Sequence, residues 1–345
     1  MSHRNPFDMT HKFSNFSERR LRLGPAGNAW PTRLAISFAL LGAGRGMACD
    51  LCSVYHAPLA HGFVEQGFHF GVAEQFTRFA SLQYESHSVP NEAHQWLDSS
   101  VTQLALGYHF TDRLGVQLTA PLIHRSFRRV EGGAIDEGTE SGLGDMALSA
   151  SYVVLRRDKE AWSMAWSVLD GIKFPTGDTS RLHEELEEET PAPGEPESGI
   201  HGHDLTLGSG SYDGFVGTQI FYRWQRFYFT ADTQYAIRSE GDIHYRFAND
   251  LSWAGGPGFY LAFQEDFTLG LQAVVSGESK GKDQFAGEAA EDTGITIVYL
   301  GPKIGLSWKN RLSMEISAGI PVDIQNSALQ AVPDYRIQAG LIWRF

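Results

Sequence analysis

The chain has 345 residues, 42% of them hydrophobic, and its mean hydropathy of −0.25 is too low for a bundle of membrane helices. Its formal net charge of −13 leaves no basic surface to neutralise phosphates, which argues against nucleic-acid binding. Glycine (37 residues) and aromatic residues (22 Phe, 12 Tyr, 8 Trp) are abundant. This composition is typical of membrane β-barrels, which use glycine at bends and aromatic rings at the membrane interfaces.

Residues 1–48 are predicted to be an export signal that is removed from the mature protein. A basic segment precedes an apolar run at 34–43, and Gly46-Met47-Ala48 forms a small-x-small cleavage pattern before Cys49. The apolar run is too short to cross a bilayer as a helix. Two alternatives stay open: a buried amphipathic helix, and a lipoprotein acylated on Cys49, for which Gly46 and Met47 are poor lipobox residues and whose sorting to the outer membrane Asp50 would disfavour.

Residues 49–65 are predicted to be a periplasmic or plug segment that carries the pair Cys49 and Cys52. In an oxidising periplasm the two cysteines are expected to form a disulfide. The alternative is a metal site, for zinc or copper, formed by Cys49, Cys52 and His56. Covalent haem is excluded because Ser53 follows the second cysteine where the haem motif has histidine. Apart from this metal alternative, we expect no cofactor.

From residue 66 onward, apolar and polar residues alternate with the two-residue period of β-strands. Each alternating segment is long enough for a tilted membrane strand. In the eighth segment, Gly255-Gly256-Pro257-Gly258 indicates either a bend within one strand or a break between two. Twelve strands are predicted, at about 66–80, 99–110, 114–125, 143–155, 161–174, 210–223, 227–239, 243–263, 267–278, 295–308, 312–322 and 335–345.

Short and long connections alternate along the predicted strands. Short polar turns are predicted at 111–113, 156–160, 224–226, 264–266 and 309–311. Longer links are predicted at 81–98, 126–142, 175–209, 279–294 and 323–334, and a shorter one at 238–243. In outer-membrane barrels the short turns face the periplasm and the long loops face outside. The predicted fold at 66–345 is therefore all-β: a twelve-stranded antiparallel transmembrane β-barrel in the Gram-negative outer membrane, with both termini in the periplasm.

The last strand places Ile337, Ala339, Leu341, Trp343 and Phe345 on one face. A strand that ends on an aromatic carboxy terminus is typical of the closing strand of such barrels. We expect Phe345 to present this strand to the barrel-assembly machinery. The expected surroundings of the barrel are the lipid bilayer and lipopolysaccharide.

The opposite faces of the predicted strands line the lumen with charges of both signs. Either these charges pair across the barrel and close it, or they line a water-filled passage and set its selectivity. Twelve strands do not decide, because the barrel is intermediate between a filled eight-stranded barrel and an open porin. The predicted lumen-lining residues are Asp145, Lys173, Asp213, Arg223, Asp232, Arg246, Asp250, Lys303, Glu315 and Arg336.

The predicted loop at 178–206 contains an acidic run at 184–189, which is typical of a solvated, mobile loop. Further along the loop, His201, His203 and Asp204 form a weak candidate metal site. Two histidines in a glycine-rich loop are not a specific signal, so a loop without metal is the alternative.

Three glycine-rich phrases carry a family resemblance: Gly142-Leu143-Gly144-Asp145-Met146, residues 171–178 and residues 207–213. With Tyr152, they resemble the outer-membrane channel family named for the MetA pathway of phenol degradation. That family is loosely related in architecture to hydrophobic-compound transporters of the FadL type. The resemblance implies a barrel channel or transporter for small molecules, aromatic or apolar ones among them.

The expected function is passive passage of small-molecule solutes across the outer membrane, without enzymatic activity. Two alternatives stay open. One is a closed, structural barrel that conducts nothing. The other is an outer-membrane hydrolase with its active site at the outer rim, where His124, Ser126, Asp242 and His244 are predicted to lie.

Overall fold

The computed structural model describes residues 66–186 and 196–345. The predicted signal and the segment with Cys49, Cys52 and His56 lie outside these residues. The described strands are β1 (Gly67–Tyr84), β2 (His87–Val89), β3 (Trp96–His109), β4 (Leu114–Glu131), β5 (Ala134–Leu143), β6 (Ala147–Asp158), β7 (Trp162–Lys173), β8 (Asp213–Trp224), β9 (Phe227–Ile237), β10 (Tyr245–Arg246), β11 (Asp250–Phe263), β12 (Phe267–Lys280), β13 (Gln284–Phe285), β14 (Glu288–Ala289), β15 (Ile295–Trp308), β16 (Leu312–Asn326) and β17 (Leu329–Arg344). Short helical turns lie at Ser180–Leu186, Gly202–Leu205, Asp242–His244 and Glu291–Thr293.

Twelve of these strands form a closed antiparallel barrel, as the sequence predicts. Around the barrel the order is β1, β3, β4, β6, β7, β8, β9, β11, β12, β15, β16 and β17, and β17 pairs with β1 to close it. The closing ladder runs from His69↔Arg344 to Tyr84↔Leu329. Because the sheet closes on itself, neither its first nor its last strand leaves an unpaired edge in lipid.

The outer face of the wall is apolar and exposed. Leu118, Leu148, Val216, Ile304 and Ile316 all point away from the lumen and are more than a third exposed. Exposed apolar side chains on consecutive strands are stable only against hydrocarbon. A closed barrel with an even number of antiparallel strands and this outer belt is the architecture of an outer-membrane protein. Among the described helical turns, none is long and apolar enough to cross a membrane.

The short turns confirm the prediction, but two of the predicted long links are largely strand. The link at 126–142 is an extended hairpin of β4 and β5, which turns at Gly132 and Gly133 with φ of 55° and 75°. Two glycines at positive φ between alternating residues are a hairpin signal that the sequence analysis missed. The link at 323–334 reduces to the turn Ser327-Ala328, because β16 and β17 both continue beyond the predicted strands.

The glycine cluster at 255–258 is a bend within one strand. Strand β11 runs through it and pairs with β9 along its length. Gly256 has φ of 155°, and a Cβ there would collide with the carbonyl oxygen of Ala273. The predicted start of this strand at 243 is wrong, because residues 245–246 form β10, which pairs with β13 in a small loop sheet.

A charge placed in the middle of the outer belt should destabilise the barrel. Leu118→Arg puts a guanidinium on the lipid face of β4, four residues further from the short turn than Leu114, so we expect it to lower the free energy of unfolding by about 2–4 kcal/mol. Leu114→Arg is the matched control, because Leu114 is equally exposed but lies beside a short turn. There the cost should fall to about 0–1 kcal/mol. Urea titration of both variants in lipid vesicles measures the difference; equal costs would contradict the proposed membrane depth.

Candidate functional site: a plugged barrel lumen

The connection between β7 and β8 folds back into one end of the barrel. Its residues 196–212, called the plug from here on, pack against the inner wall. Leu207 is buried against Val101 and Ile123, on β3 and β4. Ile200 and Leu205 join Leu97 and Phe127 in a second apolar cluster. The plug therefore closes the loop end of the lumen and packs against the wall through buried apolar side chains.

Hydrogen bonds fix the plug to strands on the far side of the barrel. Arg125 Nη1 donates to the carbonyl oxygen of Thr206 at 2.7 Å, and Gln95 Nε2 donates to that of Glu197 at 3.0 Å. On β17 the backbone N–H of Ala331 donates to the carbonyl oxygen of Gly199 at 2.7 Å. Since β17 lies six strands from β8 in a ring of twelve, the plug crosses the whole mouth.

Other loops at the same end cover the plug. Leu182, from the turn Ser180–Leu186, is fully buried with Tyr245 and Phe247. Tyr245 donates its hydroxyl to Asp283 Oδ2 at 2.8 Å, and Lys280 Nζ lies 2.7 Å from Asp283 Oδ1. The loops before β8, before β11 and before β15 thus form one packed cover.

Four of the predicted lumen residues meet in one buried ionic cluster at the base of the plug. Lys173 Nζ lies 2.6 Å from Asp145 Oδ2 and 2.8 Å from Asp213 Oδ2. Arg238 continues the chain of charges, 2.9 Å from Asp213 Oδ2 and 2.6 Å from Asp250 Oδ2. The side chains of this cluster are nearly inaccessible to water. At this end of the lumen the charges therefore pair and close the barrel, which is the first of the two predicted arrangements.

The cluster also holds the ends of the plug connection. Asp145 Oδ2 accepts hydrogen bonds from the backbone and hydroxyl of Ser209 at 2.9 and 2.8 Å, and Asp145 Oδ1 accepts one from Gly177 N at 3.0 Å. Asp213 Oδ1 accepts from Ser211 Oγ at 2.8 Å. The glycine-rich phrases of the sequence are therefore the points where the plug leaves and rejoins the wall.

The lumen below the plug is different, because inward-facing charges there stay partly exposed. Lys303 Nζ and Glu315 Oε2 are 2.9 Å apart with side chains 23% and 18% exposed. Asp232 faces inward from β9 and is exposed, within electrostatic range of both. A side chain that faces the inside of a closed barrel and is still exposed borders a space large enough for water.

The remaining predicted lumen residues occupy other places. Arg336 pairs with Glu278 and lies over the Tyr299 ring at 4.5 Å. Arg223 lies at the short-turn end, where its Nη1 donates to the carbonyl oxygen of Gln225 at 3.1 Å. Arg246 belongs to β10 in the loop cover and donates from Nε to the carbonyl oxygen of Arg238 at 3.2 Å. Arg125, Arg238 and Glu278, which contact the plug or pair with inward charges, were not among the predicted lumen-lining residues.

The weak metal candidates His201, His203 and Asp204 lie together in the plug. The two imidazole rings stack with centroids 5.5 Å apart, and His203 Nδ1 lies 3.0 Å from Glu185 Oε1. Burial lowers the pKa of His203, but the carboxylates of Asp204 and Glu185 outweigh burial and raise that pKa well above its usual value. The acidic run at 184–189 is thus partly used inside the protein, through Glu185.

The barrel wall is split next to the plug. The ladder between β16 and β17 runs from Leu312↔Trp343 to Gly319↔Arg336. Beyond Gly319 and Arg336, β16 stays paired with β15 and β17 stays paired with β1, but β16 and β17 no longer pair with each other. This separation of the two strands is the split. The outward side chains Ile320 and Val322 flank the split and are 63% and 60% exposed.

Two of the predicted rim residues make a contact of the kind that a hydrolase needs. Ser126 Oγ lies 3.3 Å from His124 Nε2, and His124 Nδ1 lies 2.6 Å from Ser141 Oγ. A hydroxyl in place of a carboxylate orients this imidazole, and all three groups are solvent-exposed rather than held in a cleft. Asp242 and His244 bind other partners, Thr179 and Glu240.

Removing the central cation of the ionic cluster should unfold the mouth of the barrel. Lys173→Met leaves Asp145 and Asp213 buried without their shared partner, so we expect a loss of about 3–5 kcal/mol in unfolding free energy. Lys303→Met is the control, since its half-exposed pair with Glu315 should contribute only about 1 kcal/mol or less. Urea titration in vesicles gives both values, and a loss for Lys173→Met no larger than the control would overturn the structural role of the cluster.

No family model matches the sequence, and no curated protein sequence matches it. The fold is similar to that of the COG4313 outer membrane channel from Pseudomonas putida F1, with a TM-score of 0.56 and 15% identity over 85% of this chain and 100% of that chain. The β domain of the Bordetella autotransporter BrkA gives a TM-score of 0.45 and 10% identity over 81% and 100%. A FadL homologue from Pseudomonas aeruginosa gives 0.36 and 8% over 83% and 92%. The first similarity confirms, at the level of the fold, the outer-membrane channel architecture that the glycine-rich phrases imply.

Proposed function

We propose that the protein is an outer-membrane channel for the passive passage of small molecules. The observation that carries this proposal is the exposed, inward-facing Asp232, with the partly exposed pair Lys303 and Glu315 within electrostatic range of it. Inward-facing charges that stay exposed show that side chains do not fill this part of the lumen. The lower lumen instead offers a polar, hydrated compartment that ends at the underside of the plug.

The substrates that fit this compartment best are small aromatic or apolar molecules. Leu207 and its neighbours on β3 and β4 form a buried apolar contact between the plug and the wall, which an apolar solute could replace as it displaces the plug. The route proposed out of the lumen passes the split between β16 and β17 beside Ile320 and Val322, and it requires the apolar cluster around Tyr299 and Val332 at this level to move aside. Unpaired backbone at membrane depth is tolerated only where it borders protein or a cavity, so the split supports a passage at this position.

The two alternatives have less support. A closed structural barrel does not account for exposed charges that face inward. The contact between Ser126 and His124 has the nucleophile and base of a hydrolase but lacks a carboxylate and a cleft. Phospholipid hydrolysis that disappears in Ser126→Ala would favour the hydrolase over the channel.

Ion conduction tests the hydrated lumen. In planar bilayers the plugged parent protein should give no steady current, whereas Lys173→Met, which loosens the base of the plug, should give steady currents; in that variant, Lys303→Glu should shift the selectivity towards cations because it replaces the cation beside Glu315. Lys309→Glu is the matched control, since Lys309 lies in a short turn. Reversal potentials in a salt gradient measure the shift. Steady currents from the parent protein would contradict the closed mouth, and silence from a Lys173→Met barrel that is shown to be folded by its heat-modifiable gel mobility would contradict the hydrated lower lumen.

The route for apolar solutes is tested at the split. Ile320→Lys places a charge beside the split, so we expect it to slow uptake of a monoaromatic hydrocarbon by intact cells. Ile316→Lys is the matched control, because Ile316 lies on the same face of β16 below the split and is 53% exposed. Neither change should alter the ion conductance. Equal uptake by the two variants would rule out the split as the exit.

A further inference from the structure

We propose that His201, His203 and Asp204 form a binding site for a divalent transition-metal ion of the zinc class, supported by Glu185. The site does not depend on whether the barrel conducts. It lies outside the membrane, between the plug and the loops that cover it. Its effect would be to fasten the plug to the turn Ser180–Leu186.

The spacing of the donor atoms suits a small metal ion. One donor atom from each of His201, His203 and Asp204 lies within 4.8 Å of the other two. His203 Nε2 and Asp204 Oδ1 are 3.5 Å apart. A tetrahedral zinc ion with bonds of about 2.0–2.2 Å holds neighbouring donors about 3.3–3.6 Å apart. One edge of the site already has this length, and small side-chain rotations bring in the third donor.

His203 is oriented as a metal ligand. Its Nδ1 lies 3.0 Å from Glu185 Oε1, whose other contact here is the backbone N–H of His203 at 2.8 Å. The side chain is only 3% exposed, yet its Nε2 has no hydrogen-bond partner in the described residues. Buried polar atoms are rarely left in this state. A carboxylate on Nδ1 that leaves Nε2 for the ion is the usual arrangement of metal-binding histidines.

The other two donors are also held in place. Asp204 Oδ2 accepts a hydrogen bond from His201 N at 3.0 Å, which fixes the carboxylate beside the rings. Asp292 Oδ2 lies 3.2 Å from His201 Nδ1, so a second carboxylate supports the second imidazole. The rings are nearly parallel, with an interplanar angle of 15°. Both imidazoles thus have a carboxylate beside Nδ1.

The charges of the surrounding groups favour a cation. Three carboxylates surround the two rings, those of Glu185, Asp204 and Asp292. Arg125 approaches the same segment, but its guanidinium donates to the backbone carbonyl oxygens of Asp204 and Thr206. Excess negative charge in a buried site is costly unless a cation offsets it. A divalent ion bound by the two imidazoles and Asp204 would do so.

The donor chemistry selects the class of ion. Two imidazoles and a carboxylate are the ligands of zinc and its neighbours in the transition series. Magnesium and calcium prefer sites made of oxygen alone, so they should compete poorly. The ion would hold both imidazoles in the orientation in which they contact Glu185 on the preceding turn and Asp292 on the loop before β15.

Zinc binding by the refolded, tag-free chain in detergent tests the proposal. The protein carries C49S and C52S, so that thiolates do not contribute, and is stripped with EDTA before zinc is titrated against a chromophoric chelator. We expect one tightly bound ion per chain. His203→Gln should weaken binding by more than the 10–100-fold that loss of a supporting residue typically costs. Cobalt should give the absorption bands of a tetrahedral site, and His203→Gln should abolish them.

The matched control is His183→Gln, since His183 lies on the same turn as Glu185 but is 54% exposed and contacts Asp242. It should bind zinc as the parent protein does. Asp204→Asn provides a second test if His203→Gln fails to fold, because it keeps the side-chain shape and removes the charge. Zinc affinity that is equal in His203→Gln and His183→Gln, or effective competition by magnesium, would overturn the site. Neither result bears on conduction, which is measured separately.

Discussion

The structure depends on one constraint: inside a bilayer, every backbone N–H and C=O must find a partner within the protein. The ladder between β1 and β17 satisfies it by closing the sheet, and the alternation of outward apolar and inward polar residues follows from the closure. Where the constraint is relaxed, something else must satisfy the backbone. The split between β16 and β17 is such a place, and it lies beside the plug rather than at random along the wall.

The plug divides the lumen into two electrostatic environments. Around Lys173 and Arg238 the plug excludes water, so carboxylates and cations are tied to one another at 2.6–2.9 Å. Further from the plug, Lys303 and Glu315 form a similar pair but keep contact with water. The same residue types therefore do two jobs. Those near the plug hold the mouth together, and those below it line a hydrated space.

The sequence predicted the barrel well because its signals are local. The two-residue period of Ile337, Ala339, Leu341 and Trp343 is visible in one strand without any knowledge of its neighbours. The fate of individual charges could not be predicted in the same way. Whether Asp213 meets Lys173 and Arg238 depends on the register of three strands and on where the plug lies. Arg238 was not predicted because it lies just beyond the end of β9. There the alternation of residues no longer indicates whether a side chain points into the lumen or towards the lipid.

The two attachments of the plug differ in a way that bears on what can open it. At its base the plug is held by the ionic cluster, which is buried and satisfied by hydrogen bonds to Ser209 and Ser211. At its far side it is held by Ile200, Leu205 and Leu207, whose burial contributes about 1.5–3 kcal/mol for each side chain. If water entered the far side, it would expose these side chains and the plug would lose the free energy of their burial. An apolar solute could instead replace the contacts that it displaces. A plug built in this way responds to apolar molecules more readily than to ions, which ties the proposed substrate class to the packing of three side chains.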